Sequence, residues 1–385
     1  MKIIHTADIH LDSKLSRHLS ADQARDRRNE LISTYNSMVQ YALNERAQAI
    51  LIAGDLFDVT RISATARNAV MASITDNPEM TFYYLRGNHD ADSFIQDVIK
   101  KFGFIPENLK LFGDDWTSFT LVDDGRLNSE DAGQEVVITG AEINADNNSH
   151  LVNSLALDQS KFNILTLHGQ ETISSSKKDA EVIPIKDYRN RGIDYMALGH
   201  VHAPKIEKLD ARGVYSYSGC LEGRGFDECG PRGFNVLTIS GGKLDVEFIP
   251  FAKRVMHEIF VDVSDCTTSD EMIKSIKTKL AGTGDTEVLP EDMVRIVLSG
   301  EVSLDAEFDT LYIAKMLDND YYYLTVKDKT SVSIDYNSFA YDKTMKGEFV
   351  RLVKAEQEAG NLSEEDAAAI IRTGVLLLAG EGAAL

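Results

Sequence analysis

Proline, cysteine and tryptophan are scarce in this chain: seven, three and one in 385 residues. Three cysteines cannot all pair. Cys220, Cys229 and Cys266 also lack the gap of about two to four residues usual between paired zinc ligands. A disulfide scaffold and a cysteine zinc site are both excluded, and three reduced thiols in the cytosol are expected. Long apolar runs are missing too. The longest late one, Val375 to Ala379, falls far short of the ~20 residues of a membrane span. At the start, Lys2 is followed by only two aliphatic residues before His5, and Asp8 soon follows, unlike a signal peptide. The expectation is a cytoplasmic protein with no membrane partner. Positive charge is in deficit: 40 Lys and Arg against 61 Asp and Glu, a net charge of −21. Taken alone, that argues against a nucleic-acid partner.

What is present softens that exclusion. Basic residues cluster at Arg25, Arg27 and Arg28, at Lys177 and Lys178, at Arg224 and Arg232, and at Lys253 and Arg254. Each cluster alone reads as solvated surface. Bound divalent cations would neutralise carboxylates locally. Hydrophobic residues at 43% and charged residues at 26% fit a soluble globular protein. The length suggests two or three domains.

Hydrophobic periodicity predicts strands at 2–7, 49–53 and 81–86, alternating with helices at 22–47 and 62–75. Strands then crowd near 117–122, 136–142, 163–168, 195–199, 214–218, 233–240 and 244–250. The pattern implies an α/β fold with two packed sheets and helices outside. Near Phe251 the character changes. A βαβαβ order follows, with strands at 255–263, 293–302 and 321–332 and helices at 269–281 and 305–317. Two helices close the chain, one within 340–358 and one opened by Ser363-Glu364-Glu365-Asp366 and running to about Ala379. The expected domains are 1–250, 255–335 and 340–385.

Five polar clusters stand in order, each just after a predicted strand. They are Asp8-Ile9-His10, Gly54-Asp55-Leu56-Phe57-Asp58, Gly87-Asn88-His89-Asp90, His168-Gly169 and Gly199-His200-Val201-His202. Ligands at strand ends are held by a stiff sheet while their side chains meet in one crevice. Asp8 and His10 lie two apart on extended chain and point the same way. Asp55 can bridge two ions with its two oxygens. Asn88 offers a neutral carbonyl, and His168, His200 and His202 offer imidazole nitrogens. Seven mixed oxygen and nitrogen ligands suit manganese, iron, zinc or magnesium and not a soft thiolate site. Two such ions clamp a phosphate and activate water for its hydrolysis. His89 is placed to give the leaving oxygen a proton, and Asp58 to orient that imidazole. His5 and Asp90 read as supporting or structural residues. Any one of these motifs is weak alone, and the inference rests on all five together.

The clusters resemble those of the calcineurin-like metallophosphoesterases over about residues 1–250. That resemblance implies a β-sandwich flanked by helices. It implies one metal held by Asp8, His10, Asp55 and His202, and another by Asp55, Asn88, His168 and His200, with Asp58 and His89 as an acid dyad. Manganese is the expected metal. A narrower likeness is to the SbcD nucleases, bacterial relatives of the eukaryotic Mre-eleven repair nuclease. It is carried by Lys2-Ile3-Ile4-His5-Thr6-Ala7-Asp8-Ile9-His10-Leu11, by residues 54–58 and 195–202, and by Ser176-Lys177-Lys178-Asp179-Ala180. Phe226-Asp227-Glu228-Cys229-Gly230 and Leu378-Ala379-Gly380-Glu381 are similar too. The likeness implies a small α+β DNA-capping domain at 255–335 and a tail, 340–385, that docks on a coiled-coil ATPase of the SbcC type. It implies a homodimer through helices 22–47 or 62–75. The expected activity is therefore exonuclease and endonuclease cleavage of DNA in an end-processing complex. Two other readings share the metal core: a phosphoesterase for small phosphodiesters or phosphoproteins, and a non-catalytic dimeric scaffold for the ATPase.

Overall fold

A computed structural model describes residues 1–15, 19–58, 62–90, 93–172, 181–282, 287–303, 306–333 and 339–378. Lys177 and Lys178, the motif at 176–180 and residues 379–381 lie outside the described residues. Contacts divide the chain into two compact units, Met1–Val255 and Met256–Leu385.

The first unit is built on two six-stranded sheets. In chain order its elements are β1 (Lys2–Thr6), α1 (Ala21–Asn44), β2 (Ala49–Ala53), α2 (Ala64–Thr75), β3 (Thr81–Leu85), α3 (Ser93–Phe102), β4 (Leu109–Leu111), β5 (Thr117–Val122), β6 (Glu135–Gly140), α4 (Asn148–Ser154), β7 (Phe162–His168), β8 (Gln170–Thr172), β9 (Val182–Pro184), β10 (Tyr195–Gly199), β11 (Lys205–Lys208), β12 (Val214–Tyr217), β13 (Gly233–Ser240) and β14 (Lys243–Pro250). One sheet runs β14-β13-β1-β2-β3-β4 and the other β11-β12-β10-β7-β6-β5. The strands that carry the polar clusters are parallel: β1, β2 and β3 in one sheet, β7 and β10 in the other. Their C-terminal ends therefore bring the clusters to one edge of each sheet.

Period-two alternation explains the layering. Ile3, Leu51 and Leu85 turn inward and meet Ile138, Ile164 and Ala197 of the other sheet. Ile4, Ile50 and Ile52 turn outward onto Leu31, Tyr35, Met38 and Val39 of α1. Leu165, Leu167, Met196 and Leu198 turn outward from the second sheet onto Leu151 of α4 and Tyr188. Two sheets packed face to face with helices outside are the expected sandwich. α1 starts where a capping box forms, with Ser20 and Gln23 each bonding the other's backbone N–H.

The second unit holds β15 (Met256–Asp262), α5 (Ser269–Ala281), β16 (Met293–Ser299), β17 (Glu301–Ser303), α6 (Thr310–Leu317), β18 (Tyr323–Asp328) and β19 (Ser331–Ser333). The order β15-β16-β18 is wholly parallel, as a βαβαβ pattern requires. α5 begins at another capping box, Thr268 with Glu271. α6 starts later than the periodicity suggests, because the Asp309 side chain accepts from Leu311 N–H and caps it there. The closing helices α7 (Met345–Glu358) and α8 (Glu364–Leu378) share a small core of Val350, Val353, Ala367, Ile371 and Val375. The contact division groups them with residues 256–333 and draws no boundary near 335–340. Among the described residues, no helix is long and apolar enough to cross a membrane.

Candidate metal centre

The loops after β1 and β2 are zipped together by their backbones. Asp8 N–H donates to Gly54 O at 3.0 Å, His10 N–H to Asp55 O at 2.9 Å and Asp58 N–H to Leu11 O at 3.0 Å. This register sets Asp8, His10, Asp55 and Asp58 side by side. Across the sandwich, His200 N–H donates to both oxygens of Asp8, at 2.9 and 3.0 Å. Asp8 thus joins the two sheets at the site. Glycine is needed at two close approaches. A Cβ on Gly54, where φ is +96°, would lie 2.1 Å from His168 Nδ1, and one on Gly199 would lie 2.0 Å from Ala53 O.

Asp8, His10, Asp55 and His200 all have left-handed backbone, with φ of 50°, 49°, 53° and 95°. That region is unfavourable for residues with a Cβ and clusters at functional sites.

Three ligand-sized groups form here among the described residues: Asp8 with His10 and His202, Asp8 with Asp55 and His168, and His10 with Asp58 and His89. Within each, one donor atom per residue lies within 4.8 Å of the others. Asp55 Oδ2 is 3.6 Å from His10 Nε2 and 3.4 Å from His168 Nε2, so it sits between the two. Asn88 Oδ1 is 3.1 Å from His168 Nε2. The His200 ring packs edge-on against His168 with centroids 5.4 Å apart. The seven residues singled out from sequence are thus brought to one place.

Two of the imidazoles have an acceptor at Nδ1, which leaves Nε2 aimed inward, and a third has a carboxylate beside its Nδ1 without hydrogen-bond geometry. His168 Nδ1 lies 2.9 Å from Ala53 O, His202 Nδ1 2.6 Å from Glu228 Oε1 and His10 Nδ1 3.2 Å from Asp58 Oδ1. Such acceptors fix the tautomer of metal-ligating histidines. Glu228 belongs to a motif quoted for resemblance alone, and its contact with a residue 26 positions away carries no local sequence signal.

The electrostatics call for a cation. Asp8 and Asp55 are buried, and among the described residues neither forms an ion pair with a Lys or Arg. His10 Nε2 and His202 Nε2 face each other at 3.3 Å. Burial favours a neutral His168, yet the Asp55 carboxylate outweighs it and pushes the ring up to about 9. Burial also works against ionised Asp55, but His168 and His10 hold it well below the usual carboxylate range. The pocket thus draws in positive charge, and oxygen and imidazole donors around it fit a divalent ion.

Asp58 has a wider role than the sequence suggests. Its Oδ1 is 3.1 Å from His89 Nδ1 as well as 3.2 Å from His10 Nδ1. Its Oδ2 accepts from Ser13 Oγ at 2.5 Å. Against burial, His10 and Ser13 hold it down at about 2. The His89 side chain is 48% exposed at the mouth of this cluster. Asp90 proves structural: its carboxylate accepts from Phe57, Gly87 and Leu56 N–H at 2.8, 3.0 and 3.2 Å, and burial pushes it up to about 6. His5 lies away from the cluster, bonded to Tyr195 Oη at 2.8 Å and pushed down to about 3 by burial.

The family profile described as calcineurin-like phosphoesterase matches residues 1–204. The chain belongs to the calcineurin-like phosphoesterases. It is 26% identical over 313 residues to an uncharacterized metallophosphoesterase, YhaO, of Bacillus subtilis (strain 168), covering 78% of this chain and 72% of that protein. It is 25% identical over 284 residues to a DNA double-strand break repair protein, Mre11, of Aeropyrum pernix, covering 69% of this chain and 64% of that protein. Solved structures with some likeness include TT1561 of Thermus thermophilus and a dimetal phosphatase of Danio rerio. The TM-score is 0.42 for both, with 12% and 10% identity, over 64% of this chain and 98% and 95% of theirs.

The basic clusters are mixed: Arg25 and Lys253 are exposed, as a solvated surface requires, but their basic neighbours are not. Arg27 is buried, paired with Glu30 at 2.6 Å and Glu222 at 3.2 Å. Arg254 reaches the same Glu30 at 2.5 Å. Arg232 donates to the carbonyls of Glu228 and Cys229. Arg27 ties α1 to Glu222, and Arg254 joins the same helix through Glu30.

Proposed function

We propose that this chain is a metal-dependent DNA nuclease, the catalytic subunit of an SbcCD-like end-processing complex. The observation that carries the phosphoesterase chemistry is the exposed His89, held by Asp58 beside buried carboxylates and imidazoles. The DNA substrate is supported by the likeness to a protein whose name is DNA double-strand break repair protein.

By this reading Asp8, His10, Asp55 and His202 hold one divalent ion, and Asp55, Asn88, His168 and His200 the other, with manganese the metal of choice. Such ions, when bound, activate water and stabilise charge on the phosphoryl oxygens. The chain's own residues do the rest. Ala53 O and Glu228 keep His168 and His202 in the tautomer that leaves Nε2 free, and Asp58 lies beside His10 Nδ1. By this reading His89 acts as the doubly protonated imidazolium, with Nδ1–H toward Asp58 Oδ1 3.1 Å away and the Nε2 proton free to be given up. That proton passes to the departing sugar oxygen as the P–O bond breaks. Residues 255–335 cap the DNA, 340–385 dock on the ATPase, and α1 or α2 pairs two copies.

One observation favours a different substrate. Residues 256–385 carry 25 Asp and Glu against 12 Lys and Arg, a poor surface for a polyanion. A small phosphodiester or phosphoprotein substrate would not need them. A paired assay with manganese separates the readings. Single-stranded and hairpin DNA is followed beside a chromogenic phosphodiester, with Asp55→Ala as control and with an SbcC-type ATPase added. Cleavage of DNA that vanishes in the control supports the nuclease. Hydrolysis of the small ester alone, with and without the ATPase, overturns it.

A further inference from the structure

Unlike His168, whose Nδ1 rests on a main-chain carbonyl, His202 rests its Nδ1 on the Glu228 carboxylate, and His10 Nδ1 lies 3.2 Å from the Asp58 carboxylate. Those two carboxylates share one cation. Arg224 donates through Nη2 to Glu228 Oε1 at 3.0 Å, and its Nη1 lies 3.7 Å from Asp58 Oδ2. Ser13 bridges the same gap, accepting from Arg224 Nη1 at 3.4 Å and donating to Asp58. Arg224 N–H also donates to Glu228 Oε2 at 2.6 Å. Arg224 Nη2 lies 3.1 Å from His202 Nδ1 as well, but both atoms are donors once Nδ1 gives its proton to Glu228. Glu228 is therefore the link between them.

The order His10, Asp58, Arg224, Glu228, His202 runs imidazole, carboxylate, cation, carboxylate, imidazole around one half of the centre. The Arg224 side chain is 18% exposed and that of Glu228 6%. Two carboxylates left in such a place without their cation would be poorly solvated and mutually repelling. They would turn toward water, and the imidazoles beside them would turn with them.

We propose that Arg224 is a positioning residue that sets the affinity of one metal ion only, the ion held through His10 and His202. The ion held through Asn88, His168 and His200 is left unchanged, because no side-chain substitution at 224 moves Ala53 O. This inference rests on the two-ion reading above. It predicts two ions that differ in how easily a distant charge can release them.

The test uses the full chain as wild type, Arg224→Met, Arg224→Lys and Glu228→Gln. Manganese equivalents are counted after dialysis against graded chelator, and electron paramagnetic resonance separates coupled ion pairs from isolated ions. Wild type should hold two ions. Arg224→Met should keep one at wild-type affinity and bind the other about 10- to 100-fold more weakly, with the coupled signal replaced by an isolated one. Arg224→Lys should recover part of the loss. Glu228→Gln, which keeps an acceptor for His202 but drops the charge, should weaken the same ion. It decides the matter if the Met variant fails to fold by circular dichroism. Raising free manganese should restore kcat in these variants with little change in KM. Two ions at wild-type affinity in both Arg224→Met and Glu228→Gln, or parallel loss of both ions in a folded variant, overturns the inference alone. A wild-type protein that binds no manganese overturns the two-ion reading and this inference with it.

Discussion

The two units handle charge in opposite ways. Arg27, Glu30, Asp8, His10, Asp55 and Glu222 are all buried in the first unit. Among the described acidic, basic and histidine side chains of the second, only His257 and Asp292 are buried. Yet the second unit is the more acidic. Residues 256–385 carry 25 acidic and 12 basic side chains, and residues 1–255 carry 36 and 28. Net charge therefore says little about where chemistry sits. Burial says more, because an ionised group out of water needs a partner or a purpose. In the first unit the arginine cluster has partners, and Asp8 and Asp55 have a purpose.

The largest effect should come from breaking that purpose. Asp55→Ala removes the carboxylate between His10 and His168. Phosphodiester hydrolysis should fall beyond the ~10²–10³-fold typical of losing a single oxyanion donor. Calorimetric titration should find less than two manganese equivalents. Next comes His89→Ala, which leaves the buried cluster intact. Turnover should drop about 10²- to 10⁴-fold with both metals still bound, and near wild-type turnover would remove His89 from the mechanism.

The contrast between units is sharpened by a matched pair of substitutions read in denaturant melts. Arg27→Met leaves the buried Glu222 without its ion pair, while Glu30 keeps Arg254, and should cost about 3–5 kcal/mol. Lys277→Met breaks only the exposed contact with Asp320 at 3.9 Å and should stay within about 0.5 kcal/mol. Equal costs would erase the distinction. A subtler signature lies in acid. Burial works against ionised Glu30, but Arg254 and Arg27 hold it down at about 2 from an ordinary 4.5. A carboxylate lowered on folding stabilises fully above its unfolded pKa, and that contribution fades as pH falls from about 4.5 toward about 2. Glu30→Gln should flatten this part of the acid-unfolding curve, and an unchanged slope would count against the pairing.

Much of this architecture is visible in the chain itself, for a physical reason. β2, β5 and β10 begin and end where the periodicity says, because each is a short apolar or alternating run closed by polar residues. α5 is bounded by its own capping box. The short α3, α4 and β11 escape notice. β11 reads Lys-Ile-Glu-Lys, an edge strand with little apolar content to betray it. At the site, the clusters at Asp8, Asp55, Asn88, His168 and His200 are legible because strand ends deliver them. Glu228, Arg224 and Ser13 are not, since their contacts exist only once the loops near 13, 58 and 228 have met. Nor does sequence reveal that Arg27 is buried: an arginine in a basic run looks the same whether it faces water or a glutamate.

The left-handed backbone at Asp8, His10, Asp55 and His200 has a consequence for how this sequence can drift. Each of these residues sits where glycine would be conformationally easier, and Asp8 and Asp55 add carboxylates with no Lys or Arg partner among the described residues to a dry interior. Substitutions that relax them would make the empty protein more robust and chemically inert. Under selection for folding alone, these four positions should be among the first to go. A chain that still carries all four is one in which use has outweighed durability, so their joint persistence in a related sequence is a better sign of a working enzyme than overall similarity.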